Sequence, residues 1–237
     1  MIFLSKQSKT DIDETDNFVI LSISNFFMNT TFCFLALIFS TFSFAQKEFQ
    51  PIGSTVIESV DGDLDGDKIP EKIIIYNTKD STDYGNIREI QILKKNNGKW
   101  IILEKSRNAI LKSNDGGMMG DPYQSTEIKN GILEITQAGG SSWKWGYTDK
   151  YRFQNRHFEL IGYSSSSGKP EEYWTDVDFN LSTGQLTFEK EVENTTEYGK
   201  SKQETFIKKG LKINLQNRNQ DKRREIILPK TKEKVYL

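Results

Sequence analysis

Five positions in one short stretch carry oxygen ligands at alternating spacing. Asp63, Asp65 and Asp67 alternate, so a tightly turning loop can aim all three carboxylates at one point. The backbone carbonyl of Ile69 and the side chain of Glu71 can complete an oxygen cage. Acidic side chains this close repel one another unless a cation neutralises them. Calcium takes about six to eight oxygen ligands in flexible geometry, which suits such a loop. A solvated Asp/Gly turn without metal is the alternative reading.

Two registers are available. Counted from Asp61, the stretch imitates the first half of an EF-hand loop, which needs a bidentate Glu at its twelfth position. Lys72 stands there and has the wrong sign. Counted from Asp63, ligands fall at alternate positions through Glu71, followed by the apolar run Ile73, Ile74, Ile75 and Tyr76. A strand apolar on both faces is one covered on both sides. This second register resembles the calcium loop of FG-GAP and VCBS repeats, the blades of integrin-type β-propellers. The resemblance implies β structure and a structural calcium, and it carries no activity. There are two departures from the family pattern. Lys68 stands where the family usually has Gly, and a positive φ at a Lys costs roughly 1 kcal/mol. Glu71 replaces the usual Asp and lengthens that ligand by one methylene. Both predict a weaker site, in the roughly 10⁻⁴–10⁻³ M range of extracellular modules. Asp176, Asp178 and Asn180 begin like a second copy, but Gly184 sits where the last carboxylate should be.

The elements around the loop read as all-β. Turn signals recur at Asn97-Gly98, Asp115-Gly116-Gly117, Asn130-Gly131, Gly139-Gly140 and Thr183-Gly184, with short Ile-, Thr-, Tyr- and Phe-rich runs between them. That spacing predicts an antiparallel meander, as a partial or irregular propeller-like arrangement or a sandwich. Around the predicted turn Asn155-Arg156, Phe153 should oppose Phe158, Tyr151 should oppose Leu160 and Arg152 should oppose Glu159. Trp143, Trp145, Tyr147, Tyr151 and Phe153 then share one face. That face is read as core, with a sugar platform as the alternative. The serines Ser164 to Ser167 read as a flexible tip.

The segment from Met28 to Gln46 looks like a secretory signal, with an apolar run from Phe32 to Phe39 and small residues at Ser43 and Ala45. Residues 1–45 are therefore read as an N-terminal extension plus signal peptide, with Met28 as the expected start and cleavage before Gln46. Export to the periplasm or the extracellular space follows. Cys33 is the one cysteine and lies within that run, so the processed chain would have no thiol chemistry. Residues 46–199, the predicted β domain with its loop at 63–71, carry 18 basic and 25 acidic groups. Residues 200–237 carry 12 basic and 4 acidic groups and read as a basic C-terminal segment, a solvated tail or a contact for an anionic membrane surface. Nucleic acid is not an expected partner.

Met118 and Met119 in a glycine-rich loop, with Asp121 after it, form the expected binding feature, because glycines allow close approach and methionines offer adaptable contact. His157 is the single histidine, and no Gly-x-Ser-x-Gly elbow or zincin motif exists. The sequence points to an exported, non-enzymatic, calcium-stabilised β domain that binds a glycan or protein. The alternative is a hydrolase of polysaccharide or peptidoglycan working through paired carboxylates.

Overall fold

The computed structural model describes residues 48–237, so the predicted signal segment lies outside the described residues. Gln50–Leu237 forms one compact unit, which includes the basic segment. Its strands are antiparallel and follow the chain. The first sheet is a meander of β1 (Thr55–Gly62), β2 (Glu71–Thr82), β3 (Gly85–Asn96) and β4 (Lys99–Ser106). The second is a meander of seven: β5 (Tyr123–Lys129), β6 (Ile132–Gly140), β7 (Lys144–Gln154), β8 (His157–Lys169), β9 (Tyr173–Asn180), β10 (Gln185–Val192) and β11 (Lys202–Ile207). A small ribbon of β12 (Glu225–Ile227) and β13 (Lys234–Tyr236) ends the chain.

Local chemistry explains the hairpins. Asn97-Gly98, Asn130-Gly131 and Asn155-Arg156 all take positive φ, at 49° and 77°, 52° and 73°, and 52° and 64°. Two successive left-handed residues make the turn whose twist matches the flanking strands. The β7–β8 register is the one the aromatic pattern predicts: Phe153 opposes Phe158, Tyr151 opposes Leu160 and Arg152 opposes Glu159. β2 is buried on both faces from Glu71 to Tyr76.

Both sheets contribute to one core. Ile73, Ile75, Ile90 and Ile92 from the first sheet join Leu133, Ile135, Tyr151, Phe158, Phe179 and Phe188 from the second. Carboxylates tie the sheets where strand pairing stops. Glu58 on β1 accepts from the Thr126 backbone N–H at 3.0 Å and from the Tyr123 hydroxyl, both on β5. Glu104 on β4 is buried and accepts from the Phe158 backbone N–H on β8 at 3.0 Å. Its burial pushes its pKa up.

Two sequence expectations are corrected. Ser164 to Ser167 are not a loose tip but lie inside β8, paired with both β7 and β9. Their two faces border a cavity and an outer trough, so the apolar period that betrays a strand is missing. The basic segment is not a frayed tail. Ile213, Leu215, Ile226, Leu228, Val235 and Leu237 are all buried in the core. They form pairs two residues apart, a short strand-like signal masked by the surrounding Lys and Arg. Leu160 donates to the Ile213 carbonyl and Leu215 donates to the Phe158 carbonyl, both at 2.9 Å, where β9 no longer covers β8.

The segment is pinned by a buried ion pair. Arg218 donates to Asp149 from Nε at 2.8 Å and from Nη2 at 3.1 Å. Tyr151 adds its hydroxyl to Asp149 at 3.2 Å. Burial disfavours the Arg218 cation, but the Asp149 charge more than offsets this and its pKa moves up. Removing one partner strands a buried charge, which costs about 3–5 kcal/mol. Arg218→Met should therefore lower stability to urea by that amount. The double variant Asp149→Leu/Arg218→Met should recover most of the loss. Equal losses in the single and double variants would show that packing, not the ion pair, holds the segment.

Candidate functional site

The acidic loop joins β1 to β2. Asp63 accepts from the backbone N–H of Gly66 at 2.7 Å and of Lys68 at 2.9 Å. Asp67 accepts from the Ile69 N–H at 2.8 Å, and the Ile69 side chain is exposed. Lys68 takes φ +66°, the strained conformation expected at that position, and Asp63 helps to hold it there. Asp63, Asp65 and Glu71 each bring a carboxylate oxygen within 4.8 Å of the others, and Asp67 stands outside this triad.

Glu71 is fully buried. Its Oε2 accepts from the Leu64 N–H at 2.8 Å, while its Oε1 has no hydrogen-bond partner. Burial pushes its pKa up. The residue that sequence reading missed is Lys94 on β3. Its Nζ bonds Asp65, bonds Asp67 at 2.8 Å and lies 3.8 Å from Glu71 Oε1. Those bonds push the Lys94 pKa up and pull the Asp67 pKa down. The β2–β3 register carried the signal. Lys72 pairs with Leu93, so one further step along the hairpin sets Lys94 toward Glu71. The lysine ammonium stands where a metal's charge would be needed. The donor set, with its orphaned buried oxygen, fits a hard divalent cation.

The predicted binding residues divide. Gly117–Met119 forms a short turn, with Met118 88% and Met119 52% exposed, so both methionines are free for contact. The loop lies against β6 through glycines: Gly140 donates to the Gly116 carbonyl at 2.8 Å, and a Cβ on Gly139 would sit 2.8 Å from Gly116 Cα. Asp121 is taken up in structure. It holds the buried guanidinium of Arg88 with two bonds, one of 2.7 Å, and accepts from the Tyr123 N–H at 2.9 Å.

A cavity of about 710 Å³ opens on the core side of the seven-stranded sheet, where β7 begins, β8 ends and β9 begins. Its aromatic wall is Trp143, Trp145, Tyr147 and Tyr163. Trp145 stacks on Tyr147 with centroids 6.0 Å apart and an 18° interplanar angle. Tyr147 is fixed by Gln137, which donates to its hydroxyl at 2.8 Å and accepts from the Leu111 N–H at 2.8 Å. Ser165, Ser167 and Thr175 supply hydroxyls beside these rings, on the same inward face of the sheet. These small inward residues create the space, since Tyr or Phe at the same positions would extend the core to the rim. Trp143 is 41% exposed at the rim, whereas Tyr147 and Tyr163 form a buried base. The aromatic face is thus core at one end and cavity wall at the other.

The outer face of the same strands holds a trough of about 630 Å³ with Thr148, Ser164, Ser166, Trp174 and Asp176 in its walls. Asp176 lies directly opposite Glu189 across the β9–β10 pair. Compared with family models, curated proteins and solved structures, the chain matches none.

Proposed function

We propose that this protein is an exported, non-enzymatic β domain that binds an extracellular or envelope glycan in its aromatic cavity, with its acidic loop clamped by calcium. The observation that carries the reading is the cavity itself. Its size falls in the range of roughly 300–1,000 Å³ typical of ligand sites, and flat rings lie beside a row of hydroxyls on one sheet face. Sugars present apolar C–H faces that lie on such rings and hydroxyls that bond such walls. The cavity suits a glycan better than a folded protein, which needs a broad interface. Binding should be visible as a change in Trp fluorescence when envelope or extracellular oligosaccharides are added. Trp143→Ala, at the half-exposed rim, should cost only about 0.5–1.5 kcal/mol of stability, the worth of its edge contact with Tyr173. It should weaken binding roughly three- to tenfold. Failure of every glycan to bind would sink the reading. The opposed carboxylates Asp176 and Glu189 beside Trp174 support a second reading, a hydrolase. Release of reducing ends from the same glycans, lost in Asp176→Asn, would favour it.

In the calcium clamp, Asp63, Asp65, Asp67, Glu71 and the Ile69 carbonyl would hold the ion. Support comes from the close triad, the orphaned Glu71 oxygen and the resemblance of the loop to FG-GAP and VCBS repeats. The ion must displace Lys94, which weakens its affinity. Calcium at a hundredfold excess over Kd should stabilise the domain by about 2.7 kcal/mol. Lys94→Gln should tighten calcium binding at least about tenfold and make the chelated protein less stable than chelated wild type. Identical melting curves with calcium and with EGTA in both proteins would leave Lys94 as the loop's permanent counter-ion.

Export rests on the apolar run and small residues before Gln46. Sequencing of the protein recovered from the medium or periplasm should begin at Gln46. A cytoplasmic protein retaining residues 1–45 would refute it.

A further inference from the structure

The geometry points to an anionic saccharide as the ligand of the aromatic cavity, recognised by Arg223. This inference rests on the glycan reading above and narrows it. Arg223 comes from the C-terminal segment and lines the cavity. Its guanidinium carbon lies 5.2 Å over the Tyr147 ring and 6.0 Å over the Trp145 ring. The side chain is half-buried and makes no ion pair or hydrogen bond among the described residues.

The position over the rings matters because an aromatic face offers attraction to the charge but no carboxylate-like acceptor for the guanidinium's N–H groups. The five N–H donors all lie in the plane of the group, so an arginine with no protein acceptor can present a two-pronged edge to an acid. That fork matches a carboxylate, and it matches the oxygens of a sulfate ester equally well. Two of the other charged residues that line the cavity are already paired. Asp221 pairs with Lys112 at 2.5 Å, and Lys234 pairs with Glu225 at 3.0 Å. Asp115 also lines the cavity and can accept from sugar hydroxyls. Arg223 is left as a cavity cation with no acid bonded to it, lying over two aromatic rings that a sugar ring can share. A neutral glycan can offer these donors hydroxyl oxygens but no opposite charge and no planar pair of acceptors to match the fork. An anion would fill them with charge-assisted bonds, strong because water is partly excluded.

The test compares matched pairs on the full chain by calorimetry. One pair is a galacturonate hexasaccharide and its methyl ester. The other is a sulfated galactan oligosaccharide and its desulfated form. The first arm reads a carboxylate and the second a sulfate. Wild type should bind the anionic member of at least one pair about tenfold or more tighter, with affinity falling as salt rises. Arg223→Gln should erase that preference, and Arg223→Lys should keep part of it, since the charge survives without the fork. Equal affinity for anionic and neutral members, or a preference that survives in Arg223→Gln, would overturn the inference and leave the glycan reading standing. Binding of none of the four would overturn both. The comparison of esters on wild type needs no variant, so a folding defect in Arg223→Gln cannot obscure the result.

Discussion

The buried ion pair between Asp149 and Arg218 is the constraint on which the rest of the structure depends. A carboxylate in the middle of an inward strand face is intolerable alone, and its penalty is offset only by an equally buried partner. That partner sits 69 residues away in a segment with no long strand of its own. Further bonds hold the residues on either side of Arg218. Ile213 and Leu215 pair with the start of β8, and Gln220 donates to the Ala109 carbonyl at 3.1 Å. Arg223 then falls over Tyr147 and Trp145. The charged wall of the cavity thus belongs to the same segment that the buried ion pair anchors.

A second theme is the use of acids where sheets end. The edges of the two meanders do not pair backbone to backbone along their length. Glu58 and Glu104 cover the seams by accepting backbone N–H groups of the other sheet. Arg88 and Asp121 add a clasp between β3 and the entry to β5. An unpaired N–H at a buried seam costs as much as a lost hydrogen bond, so a carboxylate reaching across is an efficient cover. It also protects edges that would otherwise invite another strand. The chain gains one core from two sheets without closing a barrel.

The acidic loop follows the same logic with the signs reversed. Backbone N–H groups of the loop satisfy one side of its carboxylates, and Lys94 supplies charge on the other. The buried Glu71 oxygen is the part that Lys94 does not complete, at 3.8 Å. On the proposed calcium reading the ion would compete with Lys94, and the left-handed Lys68 and the lengthened Glu71 would weaken the site further.

Much of the local structure was legible in the sequence. Two-residue turns with Asn first, the alternation around Phe153 and Phe158, and the doubly apolar β2 are encoded within a few residues, because φ preference and side-chain alternation act at that range. The loop carboxylates and the positive φ of Lys68 belong to the same class. Asp149 was invisible as a core residue, since the nearby cations Lys150 and Arg152 lie on the opposite face of the strand. Ser165 and Ser167 were misread because a strand bordering a cavity carries no apolar period. Lys94, Arg218 and Arg223 acquire their roles only when distant strands meet. Which charges face each other across a sheet, or across the core, is settled by register and packing over tens of residues. The sequence alone therefore determined strands, turns and the acidic loop. Only the tertiary structure decided which cation serves the loop, what fills the core behind it and which arginine looks into the cavity, because long-range contacts, unlike turns, have no local signature.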